Sequence, residues 1–262
     1  NLSPDSFSGD GLRDTEAAVV RAKQMAMEGA DIIDIGGEST RPSSSPISVD
    51  EELHRVIPVL ERLNKDILLP LSIDTYKLEV ACHALDAGAS IINDIWGLKQ
   101  DPKLAELAAQ RKVPIILMSN QRDSSPSHDI MSTIISDLRW SIKQALTSGV
   151  PRENIIIDPG IGFGKTQEQN LEILRRLEDL KTLNRPILLG SSRKSVIGWV
   201  LDLSPEQRQE GTAFIPPTDH RLEGTAATLA IGIAKGADIV RVHDVKEMAR
   251  VCQMSDAIIR GW

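Results

Sequence analysis

The strongest constraint on this chain is a repeat of pattern rather than of sequence. Seven short runs rich in Ile, Leu and Val recur, at Ile32–Ile35, Leu69–Ile73, Ile91–Ile95, Pro114–Met118, Ile155–Ile157, Ile187–Leu189 and Ile239–Val242. They do not alternate strictly between apolar and polar residues, which suits strands covered on both faces. Helical spacing fills the intervals, over Thr15–Glu28, Val49–Leu63, Lys77–Ala87, Lys103–Gln110, Met131–Ser148, Gln167–Leu180, Ser195–Leu201, Leu222–Lys235 and Val245–Ile259. Asp14 suits the N-cap of the first helix, and Gly29 and Gly88 suit the ends of the first and third. Strict β–α alternation predicts parallel strands joined by right-handed crossovers.

Each run ends in polar residues or glycine: Asp34 and Gly36-Gly37-Glu38, Asp74-Thr75, Asn93-Asp94, Ser119-Asn120, Asp158-Pro159-Gly160, Ser191 to Lys194, and Arg241 to Asp244. A (β/α)8 barrel brings such residues to its C-terminal mouth, and an open doubly wound sheet also binds ligands at strand C-termini. The barrel is favoured, as one domain over residues 1–262. Its opening Pro-Asp-Ser loop resembles the exit of a further strand, so an Ile/Val/Leu-rich run is expected directly before Asn1. Two breaker-rich stretches, Thr40–Ser48 and Asp202–His220, are surface loops or active-site lids.

Composition removes several function classes. The chain has 262 residues, 30 basic and 37 acidic, for a formal net charge of −7. That balance argues against general nucleic-acid or membrane-surface binding. An aromatic fraction of 3% argues against base stacking, and no apolar run approaches the ~20 residues of a bilayer span. Cys82 and Cys252 form neither a disulfide framework nor a zinc cluster and are expected to be buried free thiols. No secretory leader is seen, so a reducing, cytoplasmic setting is expected. His54, His83, His128 and His220 belong to no constellation.

Gly160 to Thr166 invites comparison with phosphate loops, and fails it. A Walker A loop needs glycine where Pro159 stands, and the dinucleotide fingerprint needs it where Lys165 stands. A glycine-rich βα turn is one explanation; close approach of backbone to a flat ligand is the other. Asp74, Asn93 and Asp158, taken singly, fit ordinary strand-end hydrogen bonding. Together with Lys194 they suit a planar heterocycle, Asp158 accepting from a guanidine-like edge and Lys194 reaching a ring carbonyl. Arg241 and His243, two residues apart on one strand face, make an anion pocket with Arg41; a salt bridge from Arg241 is the plainer alternative.

These motifs, in order and across essentially the whole chain, resemble the dihydropteroate synthase family. The residues that carry the resemblance are Asn1 to Ser8, Gly36 to Pro42, Ser72 to Thr75, Ile92 to Asp94, Ile157 to Lys165, Ser192 to Ser195 and Arg241 to Asp244. The resemblance implies a (β/α)8 barrel, usually homodimeric, that uses Mg2+. Its reaction joins 6-hydroxymethyl-7,8-dihydropterin pyrophosphate to p-aminobenzoate, and it is the sulfonamide target. It also implies roles. Asp74, Asn93, Asp158 and Lys194 would bind the pterin, and Asn1, Arg41, Arg241 and His243 the pyrophosphate, with Asn1 also the metal ligand. Thr40, Pro42, Phe163, Arg193 and Ser195 would form the p-aminobenzoate pocket. Asp5 and Phe7 would belong to the first loop, and Asp74, Lys194, Arg241 and His243 would carry catalysis. The chain departs from the family at Met118-Ser119-Asn120, where Met-His-Met is common. A pterin-binding methyltransferase and a non-catalytic pterin-binding protein are the alternatives; the Ser-Thr-Arg-Pro, Ser-Arg-Lys-Ser and Arg-Val-His segments argue against the first, and intact Lys194, Arg241 and Thr40 against the second.

Overall fold

The computed structural model describes residues 2, 11–39, 45–123, 129–204, 206–207 and 221–261. Seven strands lie within them, the number expected from the apolar runs. They are β1 (Ile33–Ile35), β2 (Leu71–Asp74), β3 (Ile91–Asp94), β4 (Ile115–Met118), β5 (Ile155–Asp158), β6 (Leu188–Leu189) and β7 (Ile239–Val240). The chain divides into two compact units, Asn1–Leu117 with Trp140–Ile156, and Met118–Arg139 with Ile157–Trp262.

Strands β1 to β5 form one sheet in the order β1-β2-β3-β4-β5, with β1 to β4 paired in parallel; the first unit holds all of it except Met118 of β4 and Ile157 and Asp158 of β5. Every residue of β2 to β5 is buried, which explains the lack of alternation in their sequences. Helices α1 (Gly11–Met27), α2 (Val49–Asp66), α3 (Leu78–Asp86) and α4 (Lys103–Arg111) follow in turn. Their apolar stripes join a core that includes Val56, Leu60, Leu63, Ile73, Ile92 and Leu117. Local signals start α2: Ser48 Oγ accepts from the Glu51 amide at 3.2 Å, and Asp50, Glu51 and Glu52 sit at the positive end of the helix dipole.

Helix α5 (Ile130–Thr147) contributes residues to both units. In the second unit Ile157 bridges to Ile187, and β6 and β7 pair in parallel. The unit also holds α6 (Gln167–Arg175), α7 (Ser195–Leu201), α8 (Leu222–Ala234) and α9 (Val245–Ile259). A capping box starts α6: the Gln169 amide donates to Thr166 Oγ1, and the Thr166 amide donates to Gln169 Oε1.

The structure corrects several expectations. Helix α1 starts at Gly11, so Asp14 is inside it and not its N-cap; Leu12 and Arg13 are good helix formers and extend it. The expected helix Gln167–Leu180 ends at Arg175, and Leu177–Leu183 is a 3-10 helix. Leu177, Leu180 and Leu183 are all buried, and three residues per turn keeps this i, i+3, i+6 set on one side. Both cysteines are free but only half-buried. Cys82 lies on the flank of α3, where Arg111 of α4 reaches its sulfur at 3.9 Å. Among the described residues, no helix is long and apolar enough to cross a membrane.

Candidate active site

In the first unit, adjacent strands β2 and β3 present Asp74 and Asn93 in register. Both are buried, at 8% and 6% exposure. Asn93 Nδ2 donates to the two oxygens of Asp34, at 3.3 and 3.4 Å. Asp34 stood out in the sequence only as a polar strand end. Its contact with Asn93 spans 59 positions, and no local pattern announces it.

Asp94, beside Asn93, serves the architecture. Its Oδ1 accepts from the Trp96 amide at 2.8 Å and its Oδ2 from the Leu98 amide at 2.6 Å. Beyond β1, Glu38, Lys77 and Glu52 form a network. Lys77 Nζ lies 2.8 Å from Glu38 Oε2 and 2.7 Å from both Glu52 Oε2 and the Ile47 carbonyl. Burial would lower its pKa, but the hydrogen bonds it donates to the two carboxylates and their charge together raise it.

In the second unit, Asp158 ends β5 at 8% exposure. Its Oδ1 accepts from the Gly160 amide at 2.7 Å. Gly190 faces the other oxygen: a Cβ built there would lie 3.9 Å from Oδ2 and 4.0 Å from Arg241 Cβ. Burial raises the Asp158 pKa, opposed by the Gly160 hydrogen bond and the charges of Lys194, Lys165 and Arg241. Lys194, immediately before α7, has its ammonium 4.4 Å from the Phe163 ring centroid, and Arg122 lies 4.6 Å from the same ring. Phe163 thus has two cations within cation–π distance of its ring.

The glycine-rich turn has a physical explanation without any ligand. Gly160 and Gly164 have φ of +71° and +70°, and a Cβ at either would lie 2.3 Å from backbone of the segment after β4. The close approach that glycine permits is to the chain itself. Within that segment Ser119 Oγ donates to Asp137 at 2.7 Å, and Gln121 Nε2 donates to both Ser119 Oγ and Asp137 at 3.0 Å. Ser119 therefore occupies the family's usual histidine position as a satisfied, buried group.

Beyond β6 and β7, two cross-links join the Ser-Arg-Lys and Arg-Val-His segments. Ser192 Oγ lies 3.0 Å from His243 Nδ1 and accepts from the His243 amide at 3.2 Å. The Arg193 guanidinium donates twice to Asp244, at 2.9 and 2.5 Å. Arg193 has a left-handed φ of +55°, an uncommon state for a side-chain-bearing residue. Its amide is held by Thr225 Oγ1 at 3.1 Å and its carbonyl by Arg221 at 2.7 Å. Ser195 Oγ receives Gln167 Nε2 at 3.2 Å. Burial, then the charges of Arg241 and Arg193, lower the His243 pKa to about 4 against the pull of Asp244. His243 is nonetheless an exposed residue, and the positive charges beside it favour the neutral imidazole. Ser192 and Asp244 stood in the sequence only within strand-end segments; their pairing with His243 and Arg193 is what it did not reveal. Asn1, Asp5, Phe7, Thr40, Arg41 and Pro42 lie outside the described residues.

Over residues 1–243 the chain matches the family of pterin binding enzymes, and it belongs to that family. It is 51% identical over 260 residues to a dihydropteroate synthase of Bacillus subtilis, covering 99% of this chain and 86% of the relative. A crystal structure of dihydropteroate synthase from Clostridium difficile in the presence of pteroic acid superposes with a TM-score of 0.89 at 48% identity, covering 99% of this chain and 94% of that one. A Xanthomonas albilineans dihydropteroate synthase with 4-aminobenzoic acid gives 0.87 at 38% identity, covering 98% and 90%. Within the family the chain stands among the dihydropteroate synthases, which are transferases, and its fold class is theirs, the (β/α)8 barrel.

Proposed function

We propose that the chain condenses 6-hydroxymethyl-7,8-dihydropterin pyrophosphate with p-aminobenzoate, giving 7,8-dihydropteroate and pyrophosphate for folate biosynthesis. The observation that carries this reading is Asp158, a buried carboxylate with one oxygen beside a residue that has no side chain. An ionised acceptor there suits two adjacent N–H donors such as a pterin's guanidine-like edge. Lys194 would reach a ring carbonyl of the pterin. In the first unit, Asp74 and Asn93 are the proposed pterin contacts.

The proposed reaction is dissociative. The C–O bond to pyrophosphate breaks, leaving a pterin methylene cation; the amine of p-aminobenzoate attacks that carbon and then loses a proton. Asp74 would stabilise the cation. Arg241 offers permanent charge to the leaving pyrophosphate, and neutral His243 offers hydrogen bonding, with Asn1 and Arg41 the further pyrophosphate contacts proposed. Thr40, Pro42, Phe163, Arg193 and Ser195 would form the p-aminobenzoate pocket, at which a sulfonamide would compete; Asp5 and Phe7 would belong to the first loop. Arg193 is presented by its bidentate pair with Asp244, so Asp244 would act on p-aminobenzoate through it.

Mg2+ is the proposed metal. It needs only one or two protein oxygens beside phosphate oxygens, which an Asn1 amide oxygen with pyrophosphate would satisfy. Among the described residues no cluster of His, Cys, Asp and Glu would hold a metal unaided. Bound there, it would neutralise leaving-group charge. A homodimer in the cytoplasm is the proposed state; Ile231 of α8 and Met254, Ile258 and Ile259 of α9 are large apolar side chains left exposed, the kind of surface a second copy covers. Pyrophosphate release on mixing the purified chain with both substrates tests the function. Release dependent on p-aminobenzoate is expected, and binding of the pterin without turnover would overturn it.

A further inference from the structure

The glycine turn has the look of a phosphate cradle, yet what it holds is a side chain of its own. Lys165 Nζ donates to the carbonyls of Ser119 at 2.8 Å, Gly160 at 3.0 Å and Phe163 at 3.2 Å. An ammonium has three protons, and three carbonyls use them. Two of those carbonyls belong to the turn and the third to the segment after β4. Backbone bonds tie the same pieces together: the Ser119 amide donates to the Asp158 carbonyl at 2.9 Å, and the Gln121 amide to that of Phe163 at 3.2 Å. The glycines matter here because a Cβ at Gly160 would lie 3.1 Å from Lys165 Nζ as well as 2.3 Å from the Ser119 carbonyl.

We infer that Lys165 is a positioning residue: by gripping three carbonyls it fixes the turn that presents Asp158 and Phe163, and it keeps a positive charge beside the Asp158 carboxylate. The functional part of this inference rests on the reading of Asp158 as the pterin's acceptor. The electrostatic part follows from placement: Lys165 Nζ is 3.0 Å from the carbonyl of Gly160, the residue whose amide holds Asp158 Oδ1 at 2.7 Å. Burial favours the protonated, uncharged form of Asp158, and the Gly160 amide, Lys194, Lys165 and Arg241 are the groups that oppose it. Lys194 and Arg241 are proposed to engage substrate, whereas Lys165 is committed to the protein's own carbonyls. Its charge therefore serves Asp158 whether or not substrate is bound, and favours an ionised acceptor before the pterin arrives.

The test is a carboxyl 13C titration of Asp158 in the full chain, with calorimetric titration of a pterin lacking pyrophosphate, for wild type, Lys165→Met and Lys165→Arg. In Lys165→Met the Asp158 midpoint should move to higher pH, and pterin affinity near neutrality should fall about tenfold, the scale of one charge-assisted hydrogen bond. Lys165→Arg keeps the charge, but its planar fork cannot serve three carbonyls arranged around an ammonium. Its midpoint should stay near the wild-type value while affinity falls. An unmoved midpoint in Lys165→Met overturns the inference. Should that variant fail to fold, Lys165→Arg decides, and wild-type affinity there overturns it. Asp158→Asn with the same pterin reports on the underlying reading: undiminished affinity would remove Asp158 from the pterin site while the midpoint result still judged Lys165.

Discussion

Asp94 and Asp158 occupy the same station, the last residue of a buried strand, yet they have different uses. Burial is the first cause of a raised pKa in both. The two oxygens of Asp94 are taken by amides of the loop it starts, at Trp96 and Leu98, and the side chain is fully buried. Among the described residues, Asp158 gives one oxygen to the Gly160 amide, while its other faces Gly190 and Lys194, Lys165 and Arg241 supply positive charge nearby. A buried carboxylate consumed by its own loop is architecture. One whose second oxygen faces a residue without a side chain has capacity for a ligand.

Substitutions sharpen the contrast. Asp94→Ala strips the acceptors from the buried Leu98 amide and the part-buried Trp96 amide and should cost about 3–5 kcal/mol of stability, measured by urea unfolding. A loss under about 1 kcal/mol would show that the loop finds other partners.

The pH dependence of stability separates the two next. The Asp94 pKa rises from 3.8 to about 6 in the folded chain, so the folded state keeps this proton to higher pH than the unfolded chain does. The stabilisation from that proton is complete below the unfolded pKa and is lost as pH rises through about 6. Wild-type stability minus that of Asp94→Asn should therefore fall by roughly 2–3 kcal/mol between about pH 4 and pH 7. A difference that grows with pH would contradict the assignment.

Two smaller effects bear on the turn after Asp158. Gly160→Ala places a Cβ against the Ser119 carbonyl at a φ of +71°, and should cost about 2 kcal/mol of stability together with pterin affinity. Thr166→Ala removes the cap of α6 and should cost about 1 kcal/mol with little effect on the pterin, since the turn has its own fastenings. Thermal melts paired with calorimetry would resolve both.

How far the sequence foretold this arrangement depended on the range of the interaction. The strands could be read because burial on both faces leaves continuous apolar runs, and Asp74, Asn93 and Asp158 stood out as polar ends to those runs. Helix extents were largely local, and Ser195–Leu201 and Val245–Ile259 fall where their spacing put them, although Asp14 is not the cap it suggested. The 3-10 turn at Leu177–Leu183 was hidden because leucines three apart also fit an α-helix. Asp34 beneath Asn93, Asp244 beside Arg193 and the carbonyl grip of Lys165 depend on tertiary contacts across as many as 59 positions, for which one sequence carries no signal. The glycine turn was the instructive case: its composition suggested close approach correctly, but not that the approaching backbone was the protein's own.

The most direct test of the account is calorimetric titration of Asp158→Asn with a pterin, alongside its melting temperature. The substitution keeps an oxygen for the Gly160 amide but can turn an N–H2 donor toward the donors of the ligand. Pterin binding should weaken by about 2–5 kcal/mol while the melting temperature barely moves. Wild-type affinity, or a fall in stability with affinity intact, would place Asp158 with Asp94 as a part of the architecture and contradict the account.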